Sequence, residues 1–320
     1  MRVLATGGAG YVGSVAVRAM LAAGHDVVVL DTLEHGRRER LGEARLVVGD
    51  VADEALVRGL LDNGRIEAVV HFAAYKSVEE SVRDPLRYHA NNVAGSIALF
   101  RAMVATDVRW LVLSSTCAVY GLPDVLPVRE DAPLQPMNPY ATGKRMVEDV
   151  LADLAAADAV RPIVLRYFNA AGGVPVAGLG EDPGGDSLFT RALDAVAGGP
   201  ELRVFGTDWP TRDGTALRDF VHVQDLAVAH IAALDHLASG GEPVTLNIGS
   251  GVGSTVLEVI GAVERASGSP VPWVPAPRRD GDPAESLADV ARARAVLGWT
   301  PSRTIDDIAV SAWEVRAHAG

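Results

Sequence analysis

Thr6-Gly7-Gly8-Ala9-Gly10-Tyr11-Val12-Gly13 follows a short apolar run, Val3 to Thr6, and opens a stretch of helical periodicity, Val12 to Ala23. A strand that turns through glycines into a helix leaves bare backbone amides at the helix start, where the helix dipole favours an anion such as a pyrophosphate. The glycines have separate tasks: one allows the tight turn, one lets the backbone approach the phosphates, and one permits close packing of helix on strand. The spacing Gly7, Gly10, Gly13 departs from the commoner G-x-G-x-x-G. A glycine-rich turn alone is a weak signal, but its place between a first strand and a first helix favours dinucleotide binding over a purely structural turn.

Outward from this turn, apolar runs at Val27 to Leu30, Leu46 to Val48, Ala68 to Phe72, Trp110 to Ser114 and Ile163 to Arg166 read as buried strands. Between them Asp53 to Leu61, Pro85 to Ala105 and Tyr140 to Ala156 carry apolar residues at helical spacing, with Asp53 a candidate N-cap. The alternation predicts an α/β, doubly wound parallel sheet. After Asn169 the texture changes to Gly- and Pro-rich sequence, Ala171 to Gly185 and Val271 to Pro283, read as loops of a smaller α/β domain. Phe220 to Ala233 and Val244 to Ile248 read as a helix and a strand returning to the sheet. The expected division is therefore interleaved: 1–170 with 220–250, and 171–219 with 251–320.

Asp31 ends the second strand, where a carboxylate accepts from the adenosine ribose and repels a 2′-phosphate, so NAD is expected over NADP. The same residue could simply close a turn, and Arg37 and Arg38 nearby could pair with a phosphate.

The chain has 320 residues, 48% hydrophobic and 22% charged, which suits a folded protein of two domains. Its net charge of −12 argues against nucleic-acid or anionic-membrane partners, which require a basic surface. No apolar run reaches the ~18 residues needed to span a bilayer, and the start passes directly into a strand, so a cytoplasmic location is expected. Cys117 is the single cysteine, which excludes an intrachain disulfide and a thiolate metal cluster; no metal is expected.

Tyr140-Ala141-Thr142-Gly143-Lys144 begins a helix, so the phenol and ammonium share one face. A tyrosine with pKa near ~10 stays protonated at neutral pH, and an adjacent cation is expected to favour the phenolate, making Tyr140 a general base. Alone, such a pair fits a surface ion neighbour equally well. The preceding Leu113-Ser114-Ser115-Thr116-Cys117-Ala118-Val119-Tyr120-Gly121 supplies hydroxyls at a carboxyl edge, where ligands of such sheets bind.

Several motifs then occur in order: Thr6 to Gly13, His71-Phe72-Ala73-Ala74, Asn91-Asn92-Val93, Tyr140 to Lys144, Leu165 to Asn169, Asp213 to Val223, and Arg278-Arg279-Asp280-Gly281-Asp282-Pro283. Together they resemble, over nearly the whole chain, the UDP-glucose (UDP-galactose) 4-epimerase family of extended short-chain dehydrogenase/reductases. The resemblance implies that Tyr140 is the base, that Lys144 holds the nicotinamide ribose, and that Thr116 bonds the 4-hydroxyl. It implies NAD contacts from Gly7, Gly10, Tyr11, Val12, Gly13, Asp31, Asp50, Val51, Phe72, Ala73, Lys76, Asn91, Ser114 and Tyr167, besides Tyr140 and Lys144. Read by themselves, Lys76 could be a solvated lysine and Asp50 a loop residue.

For a UDP-sugar the resemblance implies Lys76, Thr116, Tyr140, Phe168, Asn169, Ser187, Leu188, Val204, Phe205, Arg218, Arg279, Asp282 and Ser286. Arginine forks suit pyrophosphate, and Asp282 can accept from ribose hydroxyls. Two departures stand out. Ser187-Leu188-Phe189-Thr190 replaces an Asn or His followed by an aliphatic residue and proline, and Ser286 is small where relatives carry a bulky or a small residue, leaving room for a 2-acetamido group. The expected reaction is interconversion of UDP-glucose and UDP-galactose through a 4-keto sugar, with UDP-N-acetylhexosamines as further substrates. A UDP-glucuronate 4-epimerase shares the chemistry. A 4,6-dehydratase carries Asp-Glu where this chain has Cys117 and Ala118. A non-catalytic NAD sensor has no need of the Tyr140–Lys144 pair. Members of the family form homodimers through two helices per subunit, here those near 85–105 and 140–156.

Overall fold

The computed structural model describes residues 1–279 and 281–318, so Asp280 of the quoted Arg278–Pro283 motif lies outside the described residues. In chain order the first half forms β1 (Arg2–Thr6), α1 (Tyr11–Ala22), β2 (Asp26–Asp31), β3 (Arg45–Val48), α2 (Glu54–Gly64), β4 (Ala68–His71), α3 (Val78–Arg83), α4 (Pro85–Tyr88), α5 (Gly95–Ala105), β5 (Trp110–Thr116), α6 (Pro139–Ala156) and β6 (Arg161–Tyr167). There follow β7 (Asn169–Ala171), α7 (Leu188–Val196), β8 (Leu202–Phe205), β9 (Leu217–His222), α8 (Val223–Ala238), β10 (Val244–Ile248), β11 (Gly253–Thr255), α9 (Val256–Ser267), β12 (Trp273–Ala276), β13 (Glu285–Ser286), α10 (Ala291–Leu297) and α11 (Ile305–His318).

Seven parallel strands make one sheet in the order β10-β6-β5-β4-β1-β2-β3. The order in which strands are added switches sides between β1 and β4, and the carboxyl ends at such a switch point are where sheets of this kind bind ligands. Side chains alternate along each strand. Val3 and Ala5 join a core with Val15, Met20, Leu226 and Leu234 on one face, while Leu4 joins Val57, Leu99 and Val147 on the other. Each fully buried aliphatic side chain contributes ~1.5–3 kcal/mol, so two covered faces make this sheet the rigid platform of the site.

A second group of strands sits beside it. β11, β9 and β13 form one small sheet with β7 pairing β9, and β8 pairs β12. A separate core of Phe189, Leu193, Val204, Phe220, Ile260 and Ile308 supports these strands.

The sequence reading needs three corrections. Phe220 to His222 belong to β9, and the helix begins only at Val223, where the His222 imidazole caps the Gln224 amide at 3.0 Å. The helical stretch 85–105 is interrupted by a π-helical turn, His89–Ala94. The stretch 271–283 contains strand β12. Asp53 caps α2 as expected, accepting from Leu56 N at 3.0 Å.

Candidate active site

Gly10 precedes α1 in an extended conformation, with neither a side-chain cap nor an acidic residue in the first turn, so the amides there stay open to an anion. Gly7 has φ +68°, and a Cβ there would stand 2.5 Å from the Ala73 nitrogen. A Cβ on Gly13 would meet the Gly7 carbonyl oxygen, also at 2.5 Å. Glycine is thus required at both positions. Val12 lies beside this turn, and Phe72 and Ala73 face it from the end of β4.

Asp31 accepts from the Ala9 and Leu33 amides, each at 2.9 Å, so it shapes the turn while keeping its charge at the carboxyl end of β2. Arg37 is drawn to Asp182 at 3.0 Å and Arg40 to the same carboxylate at 2.7 Å. Asp50 is exposed and accepts from Ala52 N at 2.8 Å in a loop, beside buried Val51. Asn91 lies in the π-helical turn and donates to Asn92, whose side chain ties both main-chain polar groups of Tyr75.

β5 ends at the catalytic pair expected from the sequence. Asn138 caps α6 by accepting from Ala141 N at 2.9 Å, with Pro139 preset for the first turn. The Tyr140 phenol lies close enough to the Thr116 hydroxyl to feel it. The buried Lys144 ammonium donates to the Ser114 carbonyl at 2.8 Å. This corrects the expected electrostatics: burial dominates and pushes the Tyr140 phenol up to about 12, with Thr116 pulling partly the other way. Burial likewise lowers Lys144 to about 8, opposed by the Glu148 carboxylate. Tyr167, at the end of β6, is buried and bonds His230, on whose ring Phe72 packs with centroids 4.8 Å apart. His230 accepts at Nε2 because its Nδ1 faces the Leu226 carbonyl at 2.8 Å.

The residues read for a sugar nucleotide fall on the second group of strands. Asn169 begins β7 and donates to the Asp219 carbonyl at 2.9 Å, next to buried Phe168. Arg218 on β9 pairs with Asp282 at 2.5 Å, and the Arg279 guanidinium lies 3.8 Å from the centre of the Phe205 ring beside buried Val204. Ser286 pairs in register with Arg218 and hydrogen-bonds the Cys117 thiol, which burial pushes up to about 12. Ser187 caps α7 just ahead of Leu188. Its hydroxyl donates to Glu181, the carboxylate that also holds Lys76 at 2.9 Å.

Several residues of the site escaped the sequence reading. Glu148 and Arg166 form a buried ion pair at 2.6 Å, and Glu148 also accepts from Ser115. His71 bonds Thr6 at 2.6 Å and Ser96 at 2.9 Å. Glu148 alone carried a signal, since it stands at i+8 from Tyr140 on the same helix face.

The family model for the NAD dependent epimerase/dehydratase family matches residues 3–249. The chain belongs to this epimerase/dehydratase family. Among its relatives, the UDP-glucose 4-epimerase of Lactobacillus helveticus is 43% identical over 98% of this chain and 96% of its own. A crystal structure of UDP-glucose-4-epimerase from Stenotrophomonas maltophila, with bound NAD and formylated UDP-arabinopyranose, superposes with TM-score 0.97 at 42% identity, covering 100% of this chain and 99% of that one. The UDP-Glc/GlcNAc 4-epimerase of Campylobacter jejuni superposes with TM-score 0.88 at 36% identity over 99% of each chain. Among the described residues of this epimerase/dehydratase, no helix is long and apolar enough to cross a membrane, and no cluster of His, Cys, Asp or Glu could hold a metal ion.

Proposed function

We propose that this chain is an NAD-dependent 4-epimerase of UDP-hexoses, interconverting UDP-glucose and UDP-galactose through a 4-keto sugar. The observation that carries the reading is the meeting of Tyr140 with Thr116, set beside Lys144 at the carboxyl edge of the sheet and next to the open start of α1. The tight turn that requires glycine at Gly7 and Gly13, with the open amides after Gly10, fits a dinucleotide, and the carboxylate of Asp31 fits an unphosphorylated adenosine ribose. The phosphates would lie on the amides from Gly10 to Gly13, with Tyr11, Val12, Asp50, Val51, Phe72, Ala73, Lys76, Asn91, Ser114 and Tyr167 around the cofactor.

Bound beside these residues, NAD would supply reversible hydride acceptance at C4 of the sugar. The chain's own residues handle the proton. Thr116 orients the 4-hydroxyl toward the Tyr140 oxygen, and Tyr140 takes that proton and later gives it back. A phenol near 12 is suited to the return step. To act as a base at neutral pH it must gain about 7 kcal/mol from charge brought in with the ligands. Lys144, fixed by the Ser114 carbonyl, is placed to hold a ribose hydroxyl.

We assign the nucleotide to Phe168, Asn169, Ser187, Leu188, Val204, Phe205, Arg218, Arg279 and Asp282, and the sugar to Lys76, Thr116, Tyr140 and Ser286. Small Ser286 supports acceptance of 2-acetamido sugars. The division into 1–170 with 220–250 and 171–219 with 251–320 follows the two cores in outline only: Phe220 belongs to the second core, and Leu179, Ala293 and Trp299 belong to the first. We place the protein in the cytoplasm as a homodimer. In support, Val82, Leu86, Ile97, Val104 and Met146 are exposed apolar residues on α3, α4, α5 and α6.

UDP-galactose incubated with NAD-loaded protein, with products identified by NMR, is expected to give UDP-glucose with no net redox change. A 4-keto-6-deoxy product would mark a dehydratase, and conversion of UDP-glucuronate alone a uronate epimerase. No turnover of any of these would leave a binding protein.

A further inference from the structure

Along α6 the residues Tyr140, Lys144 and Glu148 repeat at four-residue spacing on one face. They meet successive residues at the end of β5. Tyr140 faces the Thr116 hydroxyl, Lys144 donates to the Ser114 carbonyl, and Glu148 accepts from the Ser115 hydroxyl between them. The Glu148 carboxylate is held from behind by Arg166 of β6, whose Nε and Nη2 donate to it at 3.1 Å and 2.6 Å, with both side chains only 6% exposed.

We propose that Glu148 is a positioning residue for the proton-transfer pair: with Ser115 and Arg166 it clamps α6 onto the end of β5, fixing Tyr140 against Thr116 and Lys144 against the Ser114 carbonyl. The inference rests on the 4-epimerase reading above. The titratable and charged groups around Lys144 are Tyr140 and Glu148 on its own helix, His71 at the end of β4, and Arg166 of β6 behind Glu148. His71 is held neutral, lowered to about 3 by burial and by Lys144 itself. Among the described residues, Glu148 is the negative charge acting on Lys144, and it opposes the burial that lowers the ammonium. Its removal therefore both loosens the clamp and lets Lys144 lose its proton at lower pH.

The test compares wild type, E148Q and E148M/R166M, all loaded with NAD. The double variant removes both charges, so no lone charge is left buried to unfold it. In both variants kcat for UDP-galactose is expected to fall about ten- to a hundred-fold, with KM and, in the double variant, Tm little changed. The high-pH limb of the kcat profile should also move down by roughly a unit. The Lys144 Nζ titration, followed by NMR without turnover, should move the same way. A double variant with wild-type kcat, or one whose kcat falls with the limb and the Nζ titration unmoved, would overturn the inference. Failure of the wild type to turn over UDP-galactose would count against the reading alone, and the Nζ titration would still decide the role of Glu148.

Discussion

The Lys144 ammonium donates to the main-chain carbonyl of Ser114 at 2.8 Å, while the Tyr140 phenol faces the Thr116 hydroxyl. The two groups share a helix face but meet different atoms of the same strand end. On the proposed reading lysine orients and tyrosine transfers; burial in the protein alone favours the protonated phenol.

On the proposed reading Asp31, which accepts from the Ala9 and Leu33 amides at the end of β2, would disfavour a 2′-phosphate on the cofactor. Asp31→Asn keeps an acceptor for the turn but removes that charge. Titration with both cofactors should show the preference for NAD over NADP narrowing by about ten-fold, ~1.4 kcal/mol. An unchanged preference would place the discrimination elsewhere.

On the proposed reading Ser286 sets the room beside the sugar. Wild-type protein should convert UDP-N-acetylgalactosamine as well as UDP-galactose, while Ser286→Tyr should lose roughly 100-fold on the acetamido sugar only. Parallel loss on both sugars would show that the residue acts on folding or on nucleotide binding.

Three buried histidines predict an acid limit. His71 is lowered to about 3, and His222 and His230 to about 4, in each case chiefly by burial. Because their folded values lie below the ordinary imidazole value of 6.5, the unfolded chain takes up protons first as pH falls. Their stability contribution is present above pH 6.5 and lost toward pH 4, with a slope of at most about 4 kcal/mol per pH unit. Urea midpoints measured across this window should fall steeply for wild type and less steeply for His230→Gln. Equal slopes would contradict the assignment.

Leu86 is 81% exposed on α4, in line with Ile97 and Val104 of α5. If this patch joins two subunits, Leu86→Glu should turn a dimer into a monomer by sedimentation velocity. A wild-type protein that sediments as a monomer would remove the proposed assembly.

The glycine turn and the six strands of the first half were legible because parallel strands covered on both faces read as apolar runs, and Gly7 and Gly13 are required by contact distances. The boundary at Phe220 was not, since β9 passes into α8 with no glycine or proline between them and both are apolar. The pairing of Glu148 with Arg166 was illegible for another reason: Arg166 ends a run read as a buried strand, but nothing in the sequence names its partner across the fold. The direction of the Tyr140 shift was also illegible. Spacing puts a cation nearby, but only the fold shows burial outweighing it.

The central claim is that Tyr140 moves the proton at the 4-oxygen. Tyr140→Phe, loaded with NAD and given UDP-galactose, should lose roughly 100- to 10,000-fold in kcat while UDP binding by calorimetry is unchanged. Turnover within ten-fold of wild type would contradict the account.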